Sequence, residues 1–334
     1  MRTRTPARGP AFTGLGLGTA QLGNLGGVVD DADAAGALDA ARDSGVRYFD
    51  TAPHYGLGLA ERRPGAALAR RPRAEYVVST EVGRLLIHSP RTAHRQDDGG
   101  FAVPAAYRRV LDFGRDGIPR SLDGSLRRLG LDHVDVVYLH DPDAHWRQAA
   151  GTGVDTLVAP RDRGVVKAVG VGMNQTAMPA GSVRRCDVDL VMVAGRHTLP
   201  DHSARDALLA LARERGAGVV AAAVHNSGLP ATDRPTAGAT YGYRPASRAL
   251  TDRAAAIAAV CARHGVTPPE AAVAHPLWDP AVVSVVTGAR DTAQSAGSAR
   301  RVTADVPDAL WAEPAGLGLV PGLDPVHRTT GRRA

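Results

Sequence analysis

The chain carries 40 basic residues, yet only one of them is a lysine, Lys167. Chemistry that needs a side-chain amine therefore has a single candidate. There are two cysteines, Cys186 and Cys261, far apart in sequence and without neighbouring partners. That excludes a disulfide framework and fits buried, inert thiols in a reducing cytosol. Aromatic residues are 4% of the chain against 44% apolar residues, so the core must rest on Val, Leu and Ala. No run of 18 apolar residues exists and the N-terminus has no apolar h-region. No membrane span or signal peptide is read, and the expected location is cytoplasmic. The 12 histidines form no helical pair around a glutamate and have no cysteine partner, so no metal site is expected.

The formal charge of +6 and pI near 9.8 invite a nucleic-acid reading. The excess is spread over many arginines, with no stripe and no interleaved aromatics, so no nucleic-acid partner is expected. An Arg-for-Lys, Ala-rich bias is what a high-GC genome would give without functional cause. Nothing resembles a heptad or an exposed apolar helix, and oligomeric state is not readable.

What is present is alternation. Apolar strand-like runs near 14–18, 46–50, 76–80, 134–139, 166–171, 188–193, 218–223 and 282–286 number eight. Helix-like segments near 31–44, 59–70, 119–129, 147–163, 175–184, 203–215, 250–264 and 291–301 separate them. This reads as α/β, a (β/α)8 TIM barrel rather than an open sheet. No Gly-x-Gly-x-x-Gly turn follows a strand as a Rossmann domain needs. The expected organisation is a flexible basic lead-in over 1–12, a single barrel domain over 13–320 and a disordered tail over 321–334. Two long loops, near 86–118 and 229–249, belong to the barrel mouth. The first is assigned to substrate enclosure, a plain disordered loop being its alternative.

The stretch Tyr48-Phe49-Asp50-Thr51-Ala52-Pro53-His54-Tyr55-Gly56 reads as a strand delivering an acid and a phenol into a loop. Such strand ends carry the catalytic groups of barrels. His140 ends another apolar strand, Val136 to Leu139, and precedes Asp141-Pro142-Asp143. YFDTAPHYG, VVSTEVGRLL and VDVVYLHDPD together resemble three signature regions of the aldo-keto reductases, in the branch acting on aldoses such as fucose and galactose. The resemblance covers residues 11–320. It implies a tetrad of aspartate, tyrosine, lysine and histidine, at Asp50, Tyr55, Glu81 and His140, with Tyr55 as proton donor or acceptor. Three agree; the lysine position holds Glu81.

By the same resemblance the cofactor is NADP, or NAD, and the substrate a small carbonyl compound or sugar. Gly18 and Thr19 lie near it, and Asn174 holds the nicotinamide carboxamide. Asn226, Ser227 and Gly228 offer donors to the pyrophosphate. Gly288, Arg290 and Gln294 surround the start of the last barrel helix, where backbone N–H groups and a guanidinium suit a phosphate. His197 and His225 stand where aromatic residues are usual, His275 is foreign to its apolar surroundings, and Pro64 interrupts the second helix at about 3 kcal/mol for an interior position.

Glu81 has the opposite charge to the ammonium it replaces. At about 4 Å and an effective dielectric near 20, one unit charge is worth roughly 4 kcal/mol, or about three pKa units. Three routes around this follow. Asp50 and Glu81 share a proton, His140 carries it as imidazolium, or Arg84 folds back. Lys167 is too far away. The leading expectation is an NAD(P)-dependent oxidoreductase. The alternatives are an impaired relative that binds without turnover, or a pocket repurposed around Asp50 and Glu81.

Overall fold

The computed structural model describes residues 1–232, 238–242 and 244–322. Eight strands close in chain order into a parallel barrel, the (β/α)8 architecture expected above. They are β1 (Leu15–Gly18), β2 (Tyr48–Asp50), β3 (Val77–Val82), β4 (Val136–His140), β5 (Ala168–Met173), β6 (Leu190–Ala194), β7 (Gly218–Ala222) and β8 (Val282–Gly288). β8 pairs with β1 to complete the ring.

Side chains alternate along each strand. On β3, Val78 and Val82 join the apolar layer under the helices, while Thr80 bonds Glu61 of the second helix. Val77, Ser79 and Glu81 face the interior, where Val77 packs with Tyr48, Val136, Tyr138, Leu190 and Met192. With few aromatics available, two tyrosines fill the interior, and glycines make room for them. A Cβ on Gly16 would come within 2.5 Å of the Tyr48 ring, and one on Gly170 within 2.1 Å of the Leu190 carbonyl oxygen.

The lower end is closed by residues expected as a loose lead-in. Thr3–Arg4 pairs antiparallel with Phe12–Thr13. Phe12 meets Tyr48 edge-to-face at 4.8 Å. The Arg4 guanidinium donates to the carbonyls of Leu277 at 2.5 Å and Val282 at 2.7 Å. Carboxylates at this end are paired with cations. Asp135 holds Arg73 at 2.6 Å and Lys167 at 2.8 Å, and also accepts from the Val78 amide at 2.9 Å. Asp189 does the same with Arg8, Arg161 and the Val169 amide. Much of the basic excess is used this way, and the one lysine is fixed at the wrong end of the barrel for Tyr55.

The surrounding helices are α1 (Asp31–Asp43), α2 (Leu59–Leu68), α3 (Gly117–Leu129), α4 (Val154–Asp162, entered through Trp146–Gln148 and a π turn), α5 (Ala177–Arg185), α6 (Ala210–Arg215), α7 (Arg248–Arg263), α8 (Pro268–Ala274), α9 (Thr292–Thr303) and α10 (Ala309–Gly316). Among the described residues no helix is long and apolar enough to cross a membrane. Between β7 and β8 the sequence suggests one helix, but the structure has two. The second, α8, begins in a capping box: the Thr267 hydroxyl accepts from the Glu270 amide and the Glu270 carboxylate accepts from the Thr267 amide, with Pro268 following. Pro64 does sit inside α2, buried. It cannot donate to the Ala60 carbonyl four residues back, and the Thr51 hydroxyl donates there instead at 2.9 Å.

The segment 86–118, expected as a loop, contains a hairpin. Arg84–His88 pairs antiparallel with Tyr107–Leu111. Gly83, at φ +94°, turns the chain out of β3, and its missing Cβ leaves space for the Phe113 ring. Of the second mouth segment, 229–249, residues 233–237 and 243 lie outside the described residues, as does 323–334 of the tail.

Candidate active site

Because interior positions alternate, the upper layer of the barrel is set by register. Asp50 on β2 pairs with Ser79 on β3, Glu81 with Tyr138 on β4, and His140 with Gly172 on β5. This brings Asp50, Glu81 and His140 to one end of three adjacent strands, and the turn after β2 folds Tyr55 over them. The Tyr55 hydroxyl donates to Glu81 Oε1 at 2.8 Å. His140 Nδ1 lies 3.3 Å from Glu81 Oε2 and has no hydrogen-bond partner. Gly172 leaves the Glu81 carboxyl its place, since a Cβ there would stand 3.1 Å from Oε2.

Asp50 is held from below. Ser79 donates to its Oδ1 at 2.5 Å and shares a 2.9 Å bond with the Tyr48 hydroxyl. Ser79 was not singled out from sequence, although its two-residue spacing from Glu81 puts both on one face of β3. Thr19 bonds the Asp50 carbonyl through both its amide and its hydroxyl at 3.0 Å.

Unlike the carboxylates below, Asp50 and Glu81 have no arginine or lysine in ion-pair contact among the described residues. Burial pushes the Asp50 carboxyl up to about 7, against the opposing bond from Ser79. Burial, then the nearby Asp50 and Asp141, hold Glu81 well above the usual carboxylate range. Tyr55 is also raised well above an ordinary phenol, first by burial and then by Glu81 and Asp50. His140 is driven well below an ordinary imidazole by burial and by the charges of Arg84 and Arg109. An imidazolium at His140 is therefore disfavoured, which removes one of the three routes around Glu81. A second is also absent, because Arg84 reaches Asp141 at 3.1 Å rather than folding onto Glu81.

The hairpin segment covers this layer. Phe101 stands 5.4 Å from the His54 ring and 6.1 Å from Tyr55, ring centre to ring centre, and His54 and Tyr55 stand 5.4 and 5.7 Å from His140. Arg109 grips both Asp97 oxygens, at 2.6 and 2.9 Å, and donates to the His54 carbonyl. The loop after β1 ties in as well: Asn24 exchanges bonds with the backbone of Ala102, and Leu25 bridges Phe101. The sequence carries no local signal for these contacts.

The residues assigned to a cofactor occupy the adjoining strand ends. Gly18 and Gly288 are register partners at the tops of β1 and β8. Asn174 follows β5, is exposed, and its carbonyl accepts from Arg196 at 2.7 Å. Asn226 follows β7 in a left-handed conformation, buried; its amide donates to the Gly195 carbonyl at 3.2 Å and leaves Oδ1 without a partner. Its backbone amide, a donor in the sequence reading, is taken by the Ala223 carbonyl at 2.9 Å. Gly228 lies in the same turn, as does the backbone of Ser227, whose side chain lies outside the described residues. The Arg290 guanidinium donates to the carbonyls of Leu25 at 2.8 Å and Val28 at 3.1 Å, while its amide donates to the Gln294 side chain at 3.1 Å. His197 is buried, its ring tilted against that of His275 at 5.3 Å between centroids.

Comparison with known proteins bears on the family and the fold. The profile of the Aldo/keto reductase family matches residues 14–313. A D-threo-aldose 1-dehydrogenase from a Pseudomonas species is 44% identical over 318 residues, covering 94% of this chain and 97% of that one. A pyridoxal 4-dehydrogenase from Microbacterium luteolum is 33% identical, covering 93% and 96%. Among solved structures, an aldo-keto reductase from Bacillus halodurans superposes with a TM-score of 0.75 at 20% identity, covering 98% and 99%, a likeness of fold.

Proposed function

The chain belongs to the aldo/keto reductase family and is an oxidoreductase, and we propose that it oxidises a free aldose with a nicotinamide cofactor, NADP or NAD, using a Tyr55–Glu81 proton relay. The observation that carries the relay is the 2.8 Å bond from the Tyr55 hydroxyl to Glu81 Oε1. The similarity to an aldose 1-dehydrogenase across nearly the whole of both chains supports the sugar substrate.

The residues at the strand ends suit such a cofactor. The unpartnered, buried Oδ1 of Asn226 calls for an N–H or O–H donor, whereas the space a side chain would take at Gly18 and Gly288 is filled by Val286 and Gln21. Asn174, Asn226 and the 226–228 turn would hold it from one side, Arg290 and Gln294 from the other. When bound, such a cofactor would supply the hydride acceptor. The rest is proton management by the chain. As the sugar hydroxyl gives its proton to Tyr55 Oη, the phenol proton moves to Glu81 Oε1. A carboxylate can accept it because burial and the flanking Asp50 and Asp141 raise its proton affinity. The other oxygen, Oε2, lies 3.3 Å from His140 Nδ1. Phe101 and His54 wall the site against water.

The competing reading is a relative that binds ligand without turnover. Its support is the Tyr55 phenol itself, held far above its ordinary range and so a poor acid on its own. The experiment is a fluorescence titration with NADP(H), then turnover on an aldose panel, for the natural chain, Glu81→Gln and Glu81→Lys. The relay requires turnover by the natural chain and a loss of about 10²–10⁴-fold in Glu81→Gln at unchanged cofactor affinity. Binding without turnover in the natural chain, with rescue by Glu81→Lys, would establish the competing reading.

A further inference from the structure

Outside the barrel mouth a second cavity, of about 300 Å³, lies between the hairpin strand Arg84–His88 and helix α3. That volume is at the lower end of small-molecule sites, which run from about 300 to 1,000 Å³. Its charged lining is Arg84, Arg120, Arg127 and Arg128 with one acid, Asp123. Two of the four guanidinium groups are already matched: Arg128 by buried Glu61 at 2.5 Å and Arg84 by Asp141 at 3.1 Å. Arg120 and Arg127, two turns apart on α3, have no side-chain ion-pair or hydrogen-bond partner among the described residues. Two polar atoms in its lining are likewise unpartnered and buried, the Ser121 hydroxyl and Arg84 Nε. Elsewhere in this chain guanidinium groups close on carboxylates, as Arg73 and Arg161 do, or on backbone carbonyls, as Arg4 does. Here Arg120 and Arg127, both exposed, line the cavity beside the unpartnered Ser121 hydroxyl.

We propose that this cavity binds a small phosphoryl dianion, inorganic phosphate or the phosphate of a phosphorylated sugar, on Arg120 and Arg127. Planar guanidinium forks favour phosphate over a monovalent ion of one acceptor atom. Arg84 connects the cavity to the chemistry, lining it while its Nη2 holds Asp141, the residue after His140. An occupying dianion competes with Asp141 for that guanidinium. On the reading of the active site given above, this places an inhibitory anion site outside the substrate pocket.

The test is calorimetric titration of the full chain with inorganic phosphate and with a hexose 6-phosphate, at constant ionic strength set by chloride. The natural chain is compared with Arg120→Gln/Arg127→Gln, two exposed positions on α3, and with Arg290→Ala. The expected result is saturable binding that weakens by about tenfold or more in the double variant and persists in Arg290→Ala. Binding of either ligand supports the site, and the tighter one names its source. Equal affinity in the double variant, or loss of binding in Arg290→Ala alone, overturns the proposal by moving the ion to the cofactor's end of the barrel. Because the readout is binding, it stands or falls separately from turnover.

Discussion

The Tyr55 hydroxyl and the Glu81 carboxyl are joined by a 2.8 Å hydrogen bond in which the phenol is the donor. A phenol that donates to a carboxyl keeps its oxygen lone pairs facing the mouth, so it is arranged to accept a proton. The same arrangement favours taking a proton from an alcohol over giving one to a carbonyl. Whether the relay runs depends on the charge state of Glu81, and that couples the chemistry to pH.

Oxidation through this pair needs an ionised carboxyl. Asp50 is pushed up to about 7 and Glu81 is raised with it, so the two titrate as a unit. The kcat for aldose oxidation should therefore rise with pH through an apparent pKa at or above about 7, and carbonyl reduction should fall over the same range. Glu81→Gln should flatten that limb. Pre-steady-state rates between pH 5 and 9 would measure it, and an unchanged limb in Glu81→Gln would rule Glu81 out as the acceptor.

The barrel and its upper layer were legible for a simple reason. Strands buried on both faces read as apolar runs, and a single Asp50, Glu81 or His140 at the end of such a run is conspicuous. The hairpin was not legible, because Arg84–His88 finds Tyr107–Leu111 across a long connection and neither strand announces its partner. The same holds for Phe101 and Arg109, whose positions are set by that pairing. Helix α8 had a readable signal, Thr267-Pro268-Pro269-Glu270, a capping box with proline in the first turn. The loop after β6 turns His197 inward to His275, a contact that chain position does not announce.

That inward turn has a thermodynamic consequence. His197, His202 and His275 gather beside Trp311, and burial lowers His197 and His202 to about 4 and His275 further. The folded-state values lie below the unfolded value near 6.5. Above that pH both states are neutral and nothing is lost. As pH falls from about 6.5 the unfolded chain takes up protons that the folded chain refuses, and stability drops by about 1.4 kcal/mol per pH unit for a fully buried histidine such as His197. The loss levels off below the folded values. Urea unfolding at pH 7.5, 6 and 5 should show this slope, and His275→Phe, which keeps a ring against Trp311, should reduce it by about one proton. An identical slope in the variant would mean that other groups set the acid limit.

The last prediction concerns how α2 tolerates a proline. Pro64 has no amide to give the Ala60 carbonyl, and Thr51 supplies the missing donor at 2.9 Å from the turn that leads to Tyr55. In a buried place, an unsatisfied carbonyl costs about 1–3 kcal/mol. Thr51→Val should therefore destabilise the chain by roughly that amount. Pro64→Ala restores the helical donor, so Thr51→Val in the Pro64→Ala background should cost much less. The double-mutant cycle in denaturant unfolding should give a coupling of about 1 kcal/mol or more, beyond the few tenths expected of independent sites. Additive effects would show that the Thr51 hydroxyl does not compensate for the proline, and that α2 accommodates Pro64 by bending alone.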